Sequence, residues 1–104
     1  MIKITIGVIL MSVSCLAAAT EFSGKGKIIV TQGHYVPSCR MVLHKENATG
    51  IERWFRIRDV STDDDVGAII LTALVSARDV DIAYTPGTTT GCGSEPAIDY
   101  VSIY

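Results

Sequence analysis

The chain has 104 residues, of which nine are lysine or arginine and eleven are aspartate or glutamate, for a formal net charge of −2. This balance provides neither a basic surface for nucleic acid nor a polybasic stretch for an anionic membrane, so both partners are disfavoured. The longest apolar run lies at the amino terminus and is shorter than the ~20 residues that a membrane span needs.

The first 19 residues are typical of an export signal. Lys3 precedes an apolar run from Ile4 to Val13, and Ala17 to Ala19 follow in the small-residue pattern that signal peptidase cleaves. We therefore expect the mature protein to be secreted or periplasmic. Cys15 stands in a faint lipoprotein-like context, but Ser12 occupies the place where such signals usually carry leucine. Lipidation is the less favoured alternative.

Residues 20–104 are expected to form a single domain that needs a covalent staple. A domain of about 85 residues gains only marginal stability from its hydrophobic core. If Cys15 leaves with the signal, Cys39 and Cys92 remain, and a cysteine pair in an exported protein is expected to form a disulfide. This disulfide would close the loop from Cys39 to Cys92. Closing a loop of roughly fifty residues stabilises a fold by about 4 kcal/mol in the chain-entropy model.

Five short strands and one helix are predicted in the order β-β-β-α-β-β. Pro37 marks the first turn, Glu46 to Gly50 form a hairpin loop, and Pro86-Gly87 form the turn after the fourth strand. The strands are recognised by their β-branched and alternating residues, and they cover Lys27–Gln32, Arg40–Lys45, Glu52–Val60, Val80–Thr85 and Ala97–Tyr104.

The helix has a well-marked beginning and one apolar stripe. Ser61 or Thr62 is the predicted N-cap, and Asp63 to Asp65 place carboxylates at the positive end of the helix dipole. Apolar side chains then recur at helical spacing and must face a core: Val66, Ile69, Ile70, Ala73, Leu74 and Ala77.

The rest of the helix surface is also apolar. Ala68, Leu71 and Val75 lie off the stripe, and no residue from Val66 to Ala77 is charged. A helix that is apolar nearly all round is normally buried on more than one side, so we expect these three residues to form an oligomer interface. A helix buried deeply within a monomer is the alternative.

The element order is that of the oligonucleotide/oligosaccharide-binding (OB) barrel, a five-stranded Greek-key barrel that is mainly β with one helix. Such barrels bind sugars as readily as nucleic acid, and the lack of a basic groove favours a sugar here.

Several segments resemble the small exported proteins related to the subtilase-cytotoxin binding subunit, a group that is similar to AB5-type toxin B subunits. The similar segments are Ile29–Gln32 with Cys39, Gly67–Ala77, Val80–Tyr84, and Ile98–Tyr104 after Cys92. The resemblance implies an OB-type subunit that forms a homopentameric ring, with helices around a central pore. It also implies binding of sialylated host glycans and a toxin A subunit as a partner.

The family's sugar-contacting serine stands beside the first strand. The segment Phe22-Ser23-Gly24 resembles its setting, although an ungapped alignment on Thr31-Gln32 places Gly26 there, so Ser23 is a candidate glycan contact. Gln32 is a further candidate at the end of the first strand.

Three side chains of the third strand complete the candidate glycan set. Trp54, Arg56 and Arg58 share one face of the strand, opposite Phe55 and Ile57, which face the core. Aromatic faces and guanidinium forks suit sugar rings and carboxylates. An ordinary solvated face is the alternative.

No metal, cofactor or catalytic site is predicted. His34 and His44 lack the paired spacing of metal ligands and are not associated with a nucleophile and an orienting acid. Asp63 to Asp65 are consecutive, whereas a calcium loop uses alternate ligands. The sequence therefore predicts a carbohydrate-binding, ring-forming subunit rather than an enzyme. The alternative is a stand-alone secreted or periplasmic OB-fold protein with a structural or protein-binding role.

Overall fold

A computed structural model describes residues 19–59 and 64–104 of the chain. Residues 1–18, which include Cys15 and all but the last residue of the predicted export signal, lie outside the described residues. So do the N-cap candidates Ser61 and Thr62 and the first-turn residue Asp63. In the part of the chain that is described, no helix is long and apolar enough to cross a membrane.

The described chain forms six strands, one α-helix and one 3-10 turn. The 3-10 turn covers Pro37–Cys39 and α1 covers Asp64–Ser76. The strands are β1 (Glu21–Phe22), β2 (Gly26–Gln32), β3 (Met41–Glu46), β4 (Glu52–Arg56), β5 (Asp79–Thr89) and β6 (Pro96–Ile103). Apart from the two-residue β1, the predicted order β-β-β-α-β-β is confirmed.

Five of the strands close into a barrel. β2 pairs antiparallel with both β3 and β5, β3 pairs with β4, and β5 pairs with β6. The barrel closes where β4 lies parallel to β6, with Arg56 opposite Ala97. β1 adds an extra strand on β5. This topology is consistent with the predicted OB-like fold.

Two strand boundaries differ from the prediction. β4 ends at Arg56 rather than at Val60, which is outside the described residues. β5 continues through the predicted Pro86-Gly87 turn to Thr89, and its register against β6 shifts between Tyr84 and Thr89. Proline lacks a backbone N–H and Gly87 has a φ of 84°, so both residues suit an irregular stretch where the ladder is interrupted.

The core joins the barrel interior to the apolar stripe of α1. Ile70 and Ala73 are buried against strand residues such as Val42, Phe55 and Ile82. Val66, Ile69 and Leu74 are partly buried and pack on the same cluster. The predicted stripe is therefore confirmed along the helix body.

The end of the helix corrects one member of that stripe. Ala77 lies one residue beyond α1, is exposed and adopts a left-handed φ of 55°. The Arg78 N–H donates to the Ala73 carbonyl over 3.1 Å, as in a left-handed helix cap. Ala77 thus terminates the helix instead of packing in the core.

Candidate functional site

An open polar pocket lies where the 3-10 turn, the segment after β4 and the end of β5 meet. It has a volume of about 310 Å³ and is lined by Ser38, Arg58, Asp59, Thr89 and Thr90. We call it the Arg58 pocket. Its lining offers hydroxyl groups that donate and accept, a guanidinium that donates, and a carboxylate that accepts.

The position of Arg58 follows from the pairing of β4 with β6. Two residues beyond the point where the strands pair, its Nε donates to the Ile98 carbonyl over 3.1 Å and its Nη2 donates to Asp99 Oδ1 over 2.7 Å. The other carboxylate oxygen of Asp99 accepts from the Thr85 hydroxyl over 2.7 Å. These bonds orient the guanidinium, yet 39% of the Arg58 side chain remains exposed.

A disulfide joins two walls of the pocket. Cys39 and Cys92 are bonded, with their Cα atoms 5.4 Å apart and a sequence separation of 53. Ser38 directly precedes the first cysteine, and Thr90 lies two residues before the second. The predicted disulfide is confirmed, and its position shows that it also holds pocket residues from distant parts of the chain together.

Arg56 ties the same two segments together through hydrogen bonds of its guanidinium. Its Nη1 donates to the Cys39 carbonyl over 2.6 Å, and its Nε donates to Glu95 Oε1 over 2.8 Å. This hydrogen bond holds the pKa of the Glu95 carboxyl below its usual value. Arg56 is only 9% exposed and does not line the pocket, so its place in the structure differs from the solvent-facing position expected from sequence.

Ser23 lies inside the molecule and away from the pocket. It is 2% exposed, and its hydroxyl accepts from the Ile82 N–H over 2.9 Å and donates to the Gly24 carbonyl over 3.0 Å. The Ser23 hydroxyl oxygen is also 3.4 Å from Nε2 of buried His44. The same nitrogen lies 3.1 Å from the Val80 carbonyl oxygen. These contacts connect the segment after β1 to β3 and β5.

Two other candidates also lie outside the pocket lining. Gln32 is exposed at the end of β2, and half-buried Trp54 pairs with Leu43 on β3. Among the sequence-predicted glycan residues, only Arg58 therefore lines the Arg58 pocket. The role of the others in glycan binding stays a prediction.

Sequence reasoning missed the other four lining residues. One signal was available, because Ser38 and Thr90 flank the two cysteines that were predicted to bond. The Thr90 hydroxyl oxygen is buried and has no hydrogen-bond partner among residues 19–59 and 64–104. A buried polar atom without a partner is unusual in a folded protein, and Arg40 Nε is a second such atom among the described residues.

The outer face of α1 forms a second notable surface. Ala68 is exposed, and the exposed fractions of Leu71 and Val75 are 54% and 77%. The hydroxyls next to Leu71 and Val75 bond back onto the helix. Thr72 donates to the Ala68 carbonyl over 2.8 Å, and Ser76 donates to the Thr72 carbonyl over 2.5 Å. The face therefore presents mainly apolar surface to its surroundings.

Neither a metal-ligand group nor a known relative identifies the function. Within the described ranges, no three His, Cys, Asp or Glu side chains are grouped to hold a metal ion. No protein-family model, curated protein or solved structure matches the chain at a significant level.

Proposed function

We propose that this chain is an exported carbohydrate-binding subunit that assembles into a ring and binds an acidic sugar in the Arg58 pocket. The observation that carries the proposal is the pocket itself, in which an oriented and partly exposed guanidinium lies among three hydroxyl-bearing side chains. Sialylated host glycans are the favoured ligand class, because the resemblance described above implies them.

The pocket chemistry supports a sugar over other small ligands. A guanidinium forms paired hydrogen bonds with a carboxylate, and the Arg58 bonds to Ile98 and Asp99 use two of its five N–H groups. The hydroxyls of Ser38 and Thr89 supply donors and acceptors of the kind that sugar hydroxyls need. The volume is at the lower end of the range of small-molecule sites, which suits one sugar ring.

The outer face of α1 supports assembly. Leaving side chains such as Leu71 and Val75 in water forgoes roughly 1.5–3 kcal/mol for each one that could be buried. Contiguous exposed apolar surface of this kind marks interaction sites. A ring of five is the favoured form because the resemblance implies it, and a separate toxin A subunit is a further proposed partner.

Assembly and sugar binding are linked through multivalency. A shallow, open pocket that holds one sugar gives weak binding at each site. Several identical sites on one ring engage clustered glycans together, and the resulting avidity exceeds the single-site affinity by factors of about 10²–10⁴. The proposed ring therefore explains how a small pocket with weak single-site affinity could hold the protein on host-cell glycans.

A glycan-array screen of the purified protein tests the sugar proposal. We expect retention of acidic glycans, and loss of that retention in Arg58→Ala because the variant lacks the guanidinium that faces the pocket. Arg53→Ala is the matched control, since it removes the same charge from β4 at a residue that does not line the pocket. Absence of acidic-glycan binding by the wild type, or equal binding by Arg58→Ala, would contradict the proposal.

The stand-alone protein-binding role is the second candidate. The exposed apolar face of α1 would suit a protein partner as well as a second copy of this chain. A wild-type protein that is monomeric and binds no glycan would favour this alternative.

A further inference from the structure

Phe22 and Tyr100 form an exposed aromatic pair on the outer face of the barrel. Their ring centroids are 6.2 Å apart in an edge-to-face arrangement, and the exposed fractions of the two residues are 55% and 51%. We call this pair the aromatic platform. Core packing does not account for it, because both residues lie outside the hydrophobic core.

The strand register brings the two rings together across β5. Phe22 pairs with Ala83 on one side, and Tyr100 pairs with Ala83 on the other. Neighbouring strands present directly paired residues on the same face, so the small Ala83 side chain lies between the two rings. Ala83 is fully buried, which is consistent with its position beneath the platform.

A β-bulge in β6 turns two consecutive side chains outward. Tyr84 pairs with Ile98 and the adjacent Ala83 pairs with Tyr100, so Asp99 is an extra residue in the ladder. Ile98 and Val101 on either side of the bulge are buried. Without the extra residue, strict alternation would not place Asp99 and Tyr100 on the same face.

The bulge places the platform next to Asp99, the residue that orients Arg58. Asp99 accepts the hydrogen bond that orients Arg58, and the next residue in the chain is Tyr100. Asp99 also accepts from Thr85, which lies two positions along β5 from Ala83. Arg58 and Tyr100 are therefore linked through the single residue Asp99, so a ligand that extends from the pocket past Arg58 would lie near the platform.

The size and borders of the platform fit a sugar ring better than a protein. Two half-exposed aromatic side chains offer roughly 200 Å² of surface, whereas a stable protein interface buries about 800 Å² on each partner. The Thr85–Asp99 pair borders one end, and the paired residues Asp81 and Ser102 border the other. Such a border supplies hydrogen-bonding groups around an apolar centre.

We infer that the aromatic platform is a second sugar subsite, which stacks a neutral pyranose ring of the oligosaccharide whose acidic sugar occupies the Arg58 pocket. This inference rests on the proposed function. The C–H groups on one face of a pyranose pack on an aromatic ring, while its hydroxyls reach the polar border. The ligand is therefore an oligosaccharide of at least two sugars rather than an isolated acidic sugar.

Amide NMR titration of the purified protein tests the inference with two probes, free N-acetylneuraminic acid and sialyllactose. Both carry the acidic sugar, but only sialyllactose adds neutral rings. We expect the amides of Thr89 and Thr90 to shift with both probes, and those of Ala83 and Tyr100 to shift only with sialyllactose. Sialyllactose is expected to bind roughly five- to tenfold more tightly, as the contribution of one aromatic contact predicts.

Variants separate the two subsites. Tyr100→Ala and Phe22→Ala are expected to remove the preference for sialyllactose and to leave binding of the free acid unchanged. Tyr35→Ala is the matched control, because Tyr35 is 99% exposed and is not part of the platform. Each variant removes a side chain that is at least half exposed, and a dispersed amide spectrum verifies its fold.

The outcomes distinguish this inference from the proposed function. If Thr89 and Thr90 shift but Ala83 and Tyr100 do not, or if Tyr100→Ala keeps the wild-type preference, the platform subsite is wrong and the Arg58 pocket stands. If neither probe shifts Thr89 or Thr90, the proposed function is wrong and the platform inference is overturned with it.

Discussion

Arg56 and Arg58 show how much solvent exposure can differ between two positions that the sequence predicts on one strand face. Both side chains alternate with the buried core residues Phe55 and Ile57, as the sequence predicts, although β4 itself ends at Arg56. The loop that contains Glu95 then covers Arg56, whereas Arg58 keeps 39% of its side chain exposed. This difference depends on a contact between residues 39 positions apart, which a local pattern does not encode.

Removal of the Arg56 side chain is expected to destabilise the protein. Arg56→Ala loses a short charged hydrogen bond to the Cys39 carbonyl, a type of bond worth about 2 kcal/mol when buried. Chemical denaturation should show a lower midpoint for Arg56→Ala than for Arg58→Ala, because the Arg58 side chain is more exposed in the wild type. An Arg56→Ala protein as stable as the wild type would contradict the structural position given to this residue.

Protonation of His44 is expected to weaken the fold. Burial lowers the pKa of His44 below its ordinary value of 6.5, against the opposing effects of the Val80 carbonyl, Asp81 and Glu46. The unfolded chain therefore binds a proton more readily than the folded chain, and stability falls as the pH drops through about 6.5. Arg53 adds to the lowering of the pKa.

Urea unfolding at pH 7.5 and at pH 5.5 measures this effect. The pKa values of Asp79 and Glu95 are also lowered, from ordinary values of 3.8 and 4.5. Both carboxyls are ionised in the folded and the unfolded chain between pH 5.5 and 7.5, so they contribute little to a change in stability over that range. His44→Gln should lose much of the pH dependence, and His34→Gln should retain it. Equal wild-type stability at the two pH values would show that His44 is not a buried, neutral side chain.

At the scale of elements, the predictions succeed where the signal is local. Alternating residues and a 3.6-residue apolar stripe identified the helix and the five barrel strands. The two-residue β1 was missed because it has no periodicity of its own and exists only through its pairing with β5. Pro86-Gly87 was predicted as a turn because the dipeptide favours turns, but an irregular β5 accommodates it.

Gly26 is a strand residue whose lack of a side chain is required. A Cβ atom at this position would lie 2.1 Å from the backbone carbonyl oxygen of Lys45, so Gly26→Ala must separate β2 from β3. We expect a loss of several kcal/mol or failure to fold. Gly33→Ala is the matched control, because among residues 19–59 and 64–104 no atom beyond its chain neighbours lies within 4 Å of the corresponding Cβ. Thermal unfolding of both variants compares them, and equal melting temperatures would contradict the predicted clash.

The disulfide connects elements that are distant in sequence, and we expect it to contribute a large part of the free energy of unfolding. Intact-mass analysis after alkylation should find no free thiol at Cys39 or Cys92 before reduction. Reduction should destabilise the fold by about 4 kcal/mol, since the bond closes a long loop. Two freely alkylated cysteines in the native protein would remove this bond from the account.

The candidate site illustrates the limit of sequence reasoning at the scale of the molecule. Arg58 was predicted as a ligand-binding residue from its strand face alone. The rest of the pocket is assembled by the β4–β6 pairing and by the disulfide, which bring residues from positions 38, 58–59 and 89–90 together. The predicted disulfide alone indicated that Ser38 and Thr90 lie near each other, whereas their proximity to Arg58 depends on barrel closure, which no spacing pattern predicts.

Assembly of the whole molecule is tested by adding a charge to the outer face of α1. Leu71→Lys places an ammonium where the proposed ring buries an apolar side chain, and an unpaired buried charge is costly. We expect a folded monomer that retains the disulfide, because Leu71 is 54% exposed in the single chain. Ile51→Lys is the matched control at another exposed apolar residue and should leave the oligomer intact. Sedimentation velocity at micromolar concentration distinguishes these outcomes.

The central claim is that a ring of weak sites binds acidic glycans. The most direct test measures retention of the protein on surfaces that carry an acidic glycan at low and at high density. A ring of weak sites should bind far more tightly at high density, with the multivalent gain of about 10²–10⁴ lost in the monomeric Leu71→Lys variant. Arg58→Ala should not bind at either density. Wild-type binding that is absent, or that is independent of glycan density and unaffected by both variants, would contradict the account.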